Sequence, residues 1–138
     1  MSGMASILRG SAPAGVHRWD PDDRADDGEL RAACDAHGWR LAYLDTSAVE
    51  DRAGVLADLG TALELPAHYG RNLDALHDCL RDLAEPTLLL WRGWGTPALA
   101  EPRAFAAVVR VLGARGPGAA LEVLLAGAGP EDAAPLLV

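Results

Sequence analysis

Three aspartates stand four residues apart in the segment Tyr69 to Leu83, YGRNLDALHDCLRDL: Asp74, Asp78 and Asp82. At about 100° per residue this spacing puts them on one stripe of a helix, with His77, Arg81 and Glu85 in the same arc of roughly 140°. Leu73, Leu76, Cys79, Leu80 and Leu83 fill the opposite arc. Like charges four residues apart cost a helix about 0.2–0.5 kcal/mol per pair. Asp74/Asp78 and Asp78/Asp82 are two such pairs, and Arg81 offsets them only in part. A solvated helix face is the bland explanation, and Asp74 in a first helical turn also gains from the helix dipole. The sharper one is presentation: carboxylates on a rigid face accept charge-assisted hydrogen bonds from cationic groups.

Other chemistries fit the residue pattern less well. His77 and Asp78 are sequence neighbours about 100° apart on a helix, so neither orients the other as a base and its partner. The chain has no glycine-rich phosphate loop after a strand and no nucleophile with a matching base, so no catalytic activity is expected. Cys34-Asp-Ala-His37 and His77-Asp-Cys79 suggest a zinc site only loosely, because Cys79 lies on the apolar side of its helix and His77 on the polar side. In the acidic run from Asp20 to Asp27, setting Gly28 at the sixth position of a calcium loop leaves Ala25 at the third and Cys34 at the twelfth. That run reads as a hydrated loop. The expectation is no metal and no cofactor.

Composition narrows the partners. A chain of 138 residues forms one domain with enough length to bury a core. Half the residues are hydrophobic and the mean hydropathy is +0.07, as in globular proteins. A net charge of −8 and a pI near 4.8 argue against a nucleic-acid backbone, which requires clustered Lys and Arg. An acidic surface favours a basic partner and speeds its capture at low salt. No run approaches the roughly 18 apolar residues of a membrane span. The start, MSGMASILRGSAPAG, lacks the basic and apolar regions of a secretory signal, so a cytoplasmic location is expected. Cys34 and Cys79 are too few for a disulfide framework and suit a reducing compartment.

The elements that must position the aspartates follow from local signals. Residues 1–14 read as a flexible leader, 15–126 as a single domain and 127–138 as a tail without periodicity. Gly15 to Trp19 suggests a short strand, Glu29 to His37 a helix capped by Asp26 or Asp27, and Arg40 to Leu44 a strand. Ser47-Ala-Val-Glu50 has the capping-box pattern and predicts a helix to about Leu63, stopped by Pro66. Asn72 can cap the carboxylate helix, and Gly70 suits a left-handed turn. Thr87 to Trp91 reads as a buried parallel strand. Pro97 to Glu101 suggests a turn or short helix, and Pro102 the first position of a helix with Phe105, Val108, Val109 and Leu112 on one face. Gly116-Pro-Gly118 breaks it, and Ala120 to Leu125 returns as a strand. Trp91 reads as core, whereas Trp94 is either an exposed contact or a plug at the sheet end. Alternating strands and helices imply right-handed parallel crossovers and an α/β layer.

The stretch Tyr69, Gly70, Asn72, Leu73, Asp74, Ala75, Leu76, Asp78, Cys79 and Leu80 resembles the barstar family, which carries an aromatic, then Gly-x-Asn-Leu-Asp-Ala-Leu, a variable aromatic position, then Asp-Cys-Leu. Ten matched positions in a twelve-residue window make the signal specific. The resemblance implies a small parallel β-sheet packed against helices, with a family core of about 40–126 and an extra N-terminal strand and helix here. It implies an intracellular inhibitor of a secreted ribonuclease that blocks the active site, with Asp78 in place of the substrate phosphate and Asp74 as a second acid. It further implies a partner-binding set of His68, Tyr69, Gly70, Asn72, Asp74, His77 and Asp78, and an extracellular-type ribonuclease as partner. No nucleic acid or membrane is expected as a partner, and a monomer is favoured. Three positions depart from the family: His68 stands at a tyrosine, His77 at a tryptophan, and the Arg110–Val111 region lacks an acid. Protonated His68 and His77 would face a cationic partner badly. An immunity or regulatory protein for a non-ribonuclease toxin is the alternative.

Overall fold

The computed structural model describes residues 7–9, 15–19, 27–114 and 121–136. In chain order the elements are β1 (Val16–Trp19), α1 (Asp27–His37), β2 (Arg40–Asp45), α2 (Arg52–Ala62), α3 (Leu73–Arg81), β3 (Thr87–Arg92), α4 (Gly95–Ala100), α5 (Pro102–Gly113) and β4 (Leu121–Ala126). The strands form one sheet in the order β1-β4-β3-β2, and every pairing is parallel. This is the expected α/β architecture with its extra N-terminal strand and helix. The acidic run before α1, with the expected Asp26 cap, and the Gly116-Pro-Gly118 break lie outside the described residues.

The central strands β3 (TLLLWR) and β4 (LEVLLA) are apolar on both faces because both faces are covered. On one face Leu44, Leu89, Trp91, Val123 and Leu125 pack against α2, α3 and α5. On the other, Leu88, Leu90 and Leu124 meet Leu30 and Cys34 of α1, with Trp19 and Trp39. Ile7 and Leu8 complete this second layer, and the Leu8 carbonyl accepts the Trp39 indole N–H at 2.9 Å. The reading of 1–14 as a flexible leader therefore fails at Ile7 and Leu8: two large apolar residues fill a face that β1 and α1 leave incomplete. The rest of that segment lies outside the described residues.

The segment after β4 is also tied down. Pro135 O accepts the Arg18 backbone N–H and Ala134 O accepts the Arg18 Nε, both at 2.8 Å, so the tail covers the free edge of β1. Glu122 is fully buried beside β1, where Gly15 N donates to it at 2.9 Å and His17 Nδ1 lies 2.6 Å away. Burial pushes its carboxyl above the usual range, against the opposing pull of those two contacts. Trp94 is buried and plugs the sheet end, stacked on Phe105 at 5.9 Å and pressed against Gly129, so it is no exposed contact.

Helix α2 starts later than the Ser47–Glu50 pattern predicts. Asp51 is the cap, accepting from Gly54 N at 2.8 Å. Ser47 is engaged elsewhere: its N–H donates to Asp45 Oδ1 and its carbonyl accepts from Thr96 Oγ1. Gly93, at φ 67°, runs so close to this turn that a Cβ would sit 2.4 Å from Ser47 N. A long-range contact thus removes Ser47 from the helix.

Candidate functional site

The carboxylate helix α3 is organised from its first turn. Asn72 Oδ1 accepts from Ala75 N at 2.8 Å, the expected cap. Leu76, Cys79 and Leu80 are buried against the core, which fixes the rotation of α3 and turns Asp74 and Asp78 outward. The helix ends at Arg81, so Asp82 is its C-cap rather than a member of the stripe, and Glu85 lies beyond it. Two acids, rather than three, therefore share one helical face.

Asp78 has a side chain 64% exposed, with Arg81 Nη2 and His77 Nδ1 each 3.7 Å from its Oδ1. Those separations are longer than hydrogen bonds, and exposed pairs of this kind contribute about 0–1 kcal/mol. The carboxylate is thus available to a stronger cation. His77 is also exposed, at 53%. Asp74, Asn72, Gly70 and His68 are exposed as well, so six of the seven expected partner-binding residues reach solvent along one continuous loop and helix.

Tyr69, the seventh, anchors the loop. Its hydroxyl donates to Leu56 O of α2 at 2.9 Å, and the Cδ2–Cε2 edge of its ring lies against Gly60, where a Cβ would stand 2.7 Å from Cε2. Burial pushes its pKa to about 12, with a smaller contribution from Cys79. The left-handed residue of this loop is not Gly70 but Arg71, at φ 57°. Gly70 is needed for space, because a Cβ there would come 3.2 Å from Asn72 Nδ2. Sequence reasoning missed both: the anchor is set by packing against α2, and the Arg71 backbone by closing the loop between Tyr69 and Asn72.

Clefts flank the loop on both sides. The larger, about 690 Å³, lies between Asn72 and Asp74, the Asp51–Arg52 start of α2 and Glu101 before α5. Glu101 Oε1 accepts from Arg52 N at 3.0 Å, which ties the two helix starts together and shapes the far wall. The smaller, about 320 Å³, is lined by Tyr69, Gly60, Thr61 and Glu64. Arg110 is exposed in the last turn of α5, and Val111 beside it is partly buried against the core.

Burial pushes the Cys34 thiol to about 11 and, helped by Asp82 and Asp78, raises that of Cys79. Both sulfurs therefore stay protonated at neutral pH and are poor nucleophiles. Among the described residues no three His, Cys, Asp or Glu side chains cluster closely enough to hold a metal ion. The arrangement is suited to accepting hydrogen bonds from a cationic surface.

A family model described as Barstar (barnase inhibitor) matches residues 39–122, more than half of the chain and all of α2, α3, β3, α4 and α5. No curated protein gives a significant match. Among solved structures, the Aeropyrum pernix ORC2 protein in its ADPNP-ADP complexes is similar at 13% identity and a TM-score of 0.60, over 93% of this chain and 39% of that one. Drosophila ORC bound to AT-rich DNA and Cdc6 is similar at 10% identity and a TM-score of 0.49, over 91% of this chain and 43% of that one. The chain spans well under half the length of either, and the first likeness shows the fold alone.

Proposed function

The chain belongs to the barstar family, and we propose that it is a cytoplasmic inhibitor of a secreted microbial ribonuclease, acting by binding rather than by chemistry of its own. Asp78 takes the place of a substrate phosphate in the ribonuclease active site, Asp74 supplies a second acid, and His77 packs beside them. The loop from His68 to Asn72 shapes the contact. One observation supports this reading above the others: α3, capped and packed on its apolar face, holds Asp74 and Asp78 outward, with Arg81 paired to Asp78 only loosely, at 3.7 Å. Ordered carboxylates lose little entropy when a cationic site closes over them.

The test is an RNA-cleavage titration with barnase. Stoichiometric loss of cleavage supports the reading. The departures at His68, His77 and Arg110–Val111 favour a second one, in which the same surface binds a toxin that is not a ribonuclease. Binding to barnase without any loss of RNA cleavage would favour that alternative.

A further inference from the structure

Arg71 breaks two local rules at once. It is a non-glycine residue in the left-handed region, at φ 57°, where a Cβ crowds the following carbonyl. It also stands immediately before the cap of α3, at the helix end where the dipole disfavours a cation. No hydrogen bond or ion pair to another described residue compensates. The neighbours on each side hold it there: Tyr69 is anchored to Leu56, and Asn72 is fixed by its bond from Ala75. The side chain borders both flanking clefts, so it occupies the ridge between them. Local rules broken without an internal gain point to function.

We infer that Arg71 is a specificity-determining residue and that the cognate partner presents a carboxylate to it. The inference rests on the ribonuclease-inhibitor reading and names a feature of the enzyme it would fit. Arg71 lies three residues before Asp74 and seven before Asp78, on the same exposed surface. A protein that closes over those aspartates and enters the clefts must desolvate the guanidinium. A buried cation left without a partner is strongly unfavourable, so a matching enzyme supplies an acid there and a mismatched one is rejected. The surface thus carries a positive point on the ridge between the clefts, rather than being uniformly acidic.

The experiment displays barnase as a library with single surface residues changed to Glu, Ala or Lys. It is selected in parallel on the full chain and on Arg71→Glu, with Asp78→Ala as a control. Arg71→Gly, which removes the left-handed strain, should raise the melting temperature and shows that the loop survives substitution. The expected result is at least one barnase position where the wild-type chain enriches Glu over Lys by about tenfold or more, with the preference reversed on Arg71→Glu. Identical enrichment on both chains overturns the role of Arg71 and leaves the inhibitor reading intact. No enrichment on either chain overturns the inhibitor reading for barnase-type enzymes and takes this inference with it.

Discussion

Replacing Tyr69 with Phe separates the anchoring of the recognition loop from the recognition itself. The substitution keeps the ring on Gly60 and removes only the hydroxyl that donates to Leu56 O at 2.9 Å. One partly buried neutral hydrogen bond contributes about 0.5–1.5 kcal/mol. In a chain of this size such a loss lowers the melting temperature by roughly 2–6 °C. A second signature appears in alkali. The folded protein holds the Tyr69 proton up to about 12, against 10.0 for a free tyrosine. That stabilisation is complete below the unfolded value and is lost as pH rises through the folded one. Two units would correspond to about 2.7 kcal/mol, and partial exposure cuts this to about 1–2 kcal/mol. Denaturant unfolding of both proteins at pH 7, 10 and 11.5 measures each part. The wild type should lead by about 1 kcal/mol at neutral pH and lose its lead by the highest pH. Cys34 titrates in the same range but is common to both proteins. Equal stability at pH 7, or a lead that persists unchanged in alkali, would refute the anchoring argument.

Asn72→Ala removes the cap of α3 and should cost about 1 kcal/mol, read from chemical denaturation; a smaller second effect on inhibition would follow from fraying beneath Asp74. Gly60→Ala gains helix propensity but drives a Cβ to 2.7 Å from the Tyr69 ring, so the net result should be a loss of about 1–2 kcal/mol and weaker barnase inhibition. A gain in stability there would show that the ring moves freely. Glu122→Gln tests the buried carboxyl behind β1: its folded pKa is raised, so the neutral form stabilises in acid and that contribution fades as pH rises through the folded value. The variant should show a flatter stability profile on the acid side of neutrality, and an unchanged profile would place the pH dependence elsewhere.

The parts of the fold that were legible in the sequence are those fixed by neighbours along the chain. Asn72 precedes Leu73 at the cap position, Pro102 opens α5, and Thr87–Arg92 is an uninterrupted apolar strand; each signal is local and each element stands within a residue or two of its expected bounds. The aspartate face was legible too, because Leu76, Cys79 and Leu80 fix its orientation by periodicity alone. What escaped depends on chain segments far apart. Ser47 matched a capping box, yet Gly93 and Thr96, nearly fifty residues later, draw it into another turn. Ile7 and Leu8 looked like part of a loose leader because the face they cover belongs to strands that only later sequence supplies. Arg71 carries no local signal of its left-handed backbone, since that angle results from closing the loop between Tyr69 and Asn72. Trp94 was undecided until Gly129 supplied the surface it packs on.

The most direct measurement is a calorimetric titration of barnase with the wild-type chain and with Asp78→Ala, alongside melting curves of both. If the exposed acid on α3 substitutes for a phosphate, its removal costs at least about 2 kcal/mol, a thirtyfold or greater rise in Kd, and the melting temperature stays put. Affinities within a factor of two of each other would contradict the account.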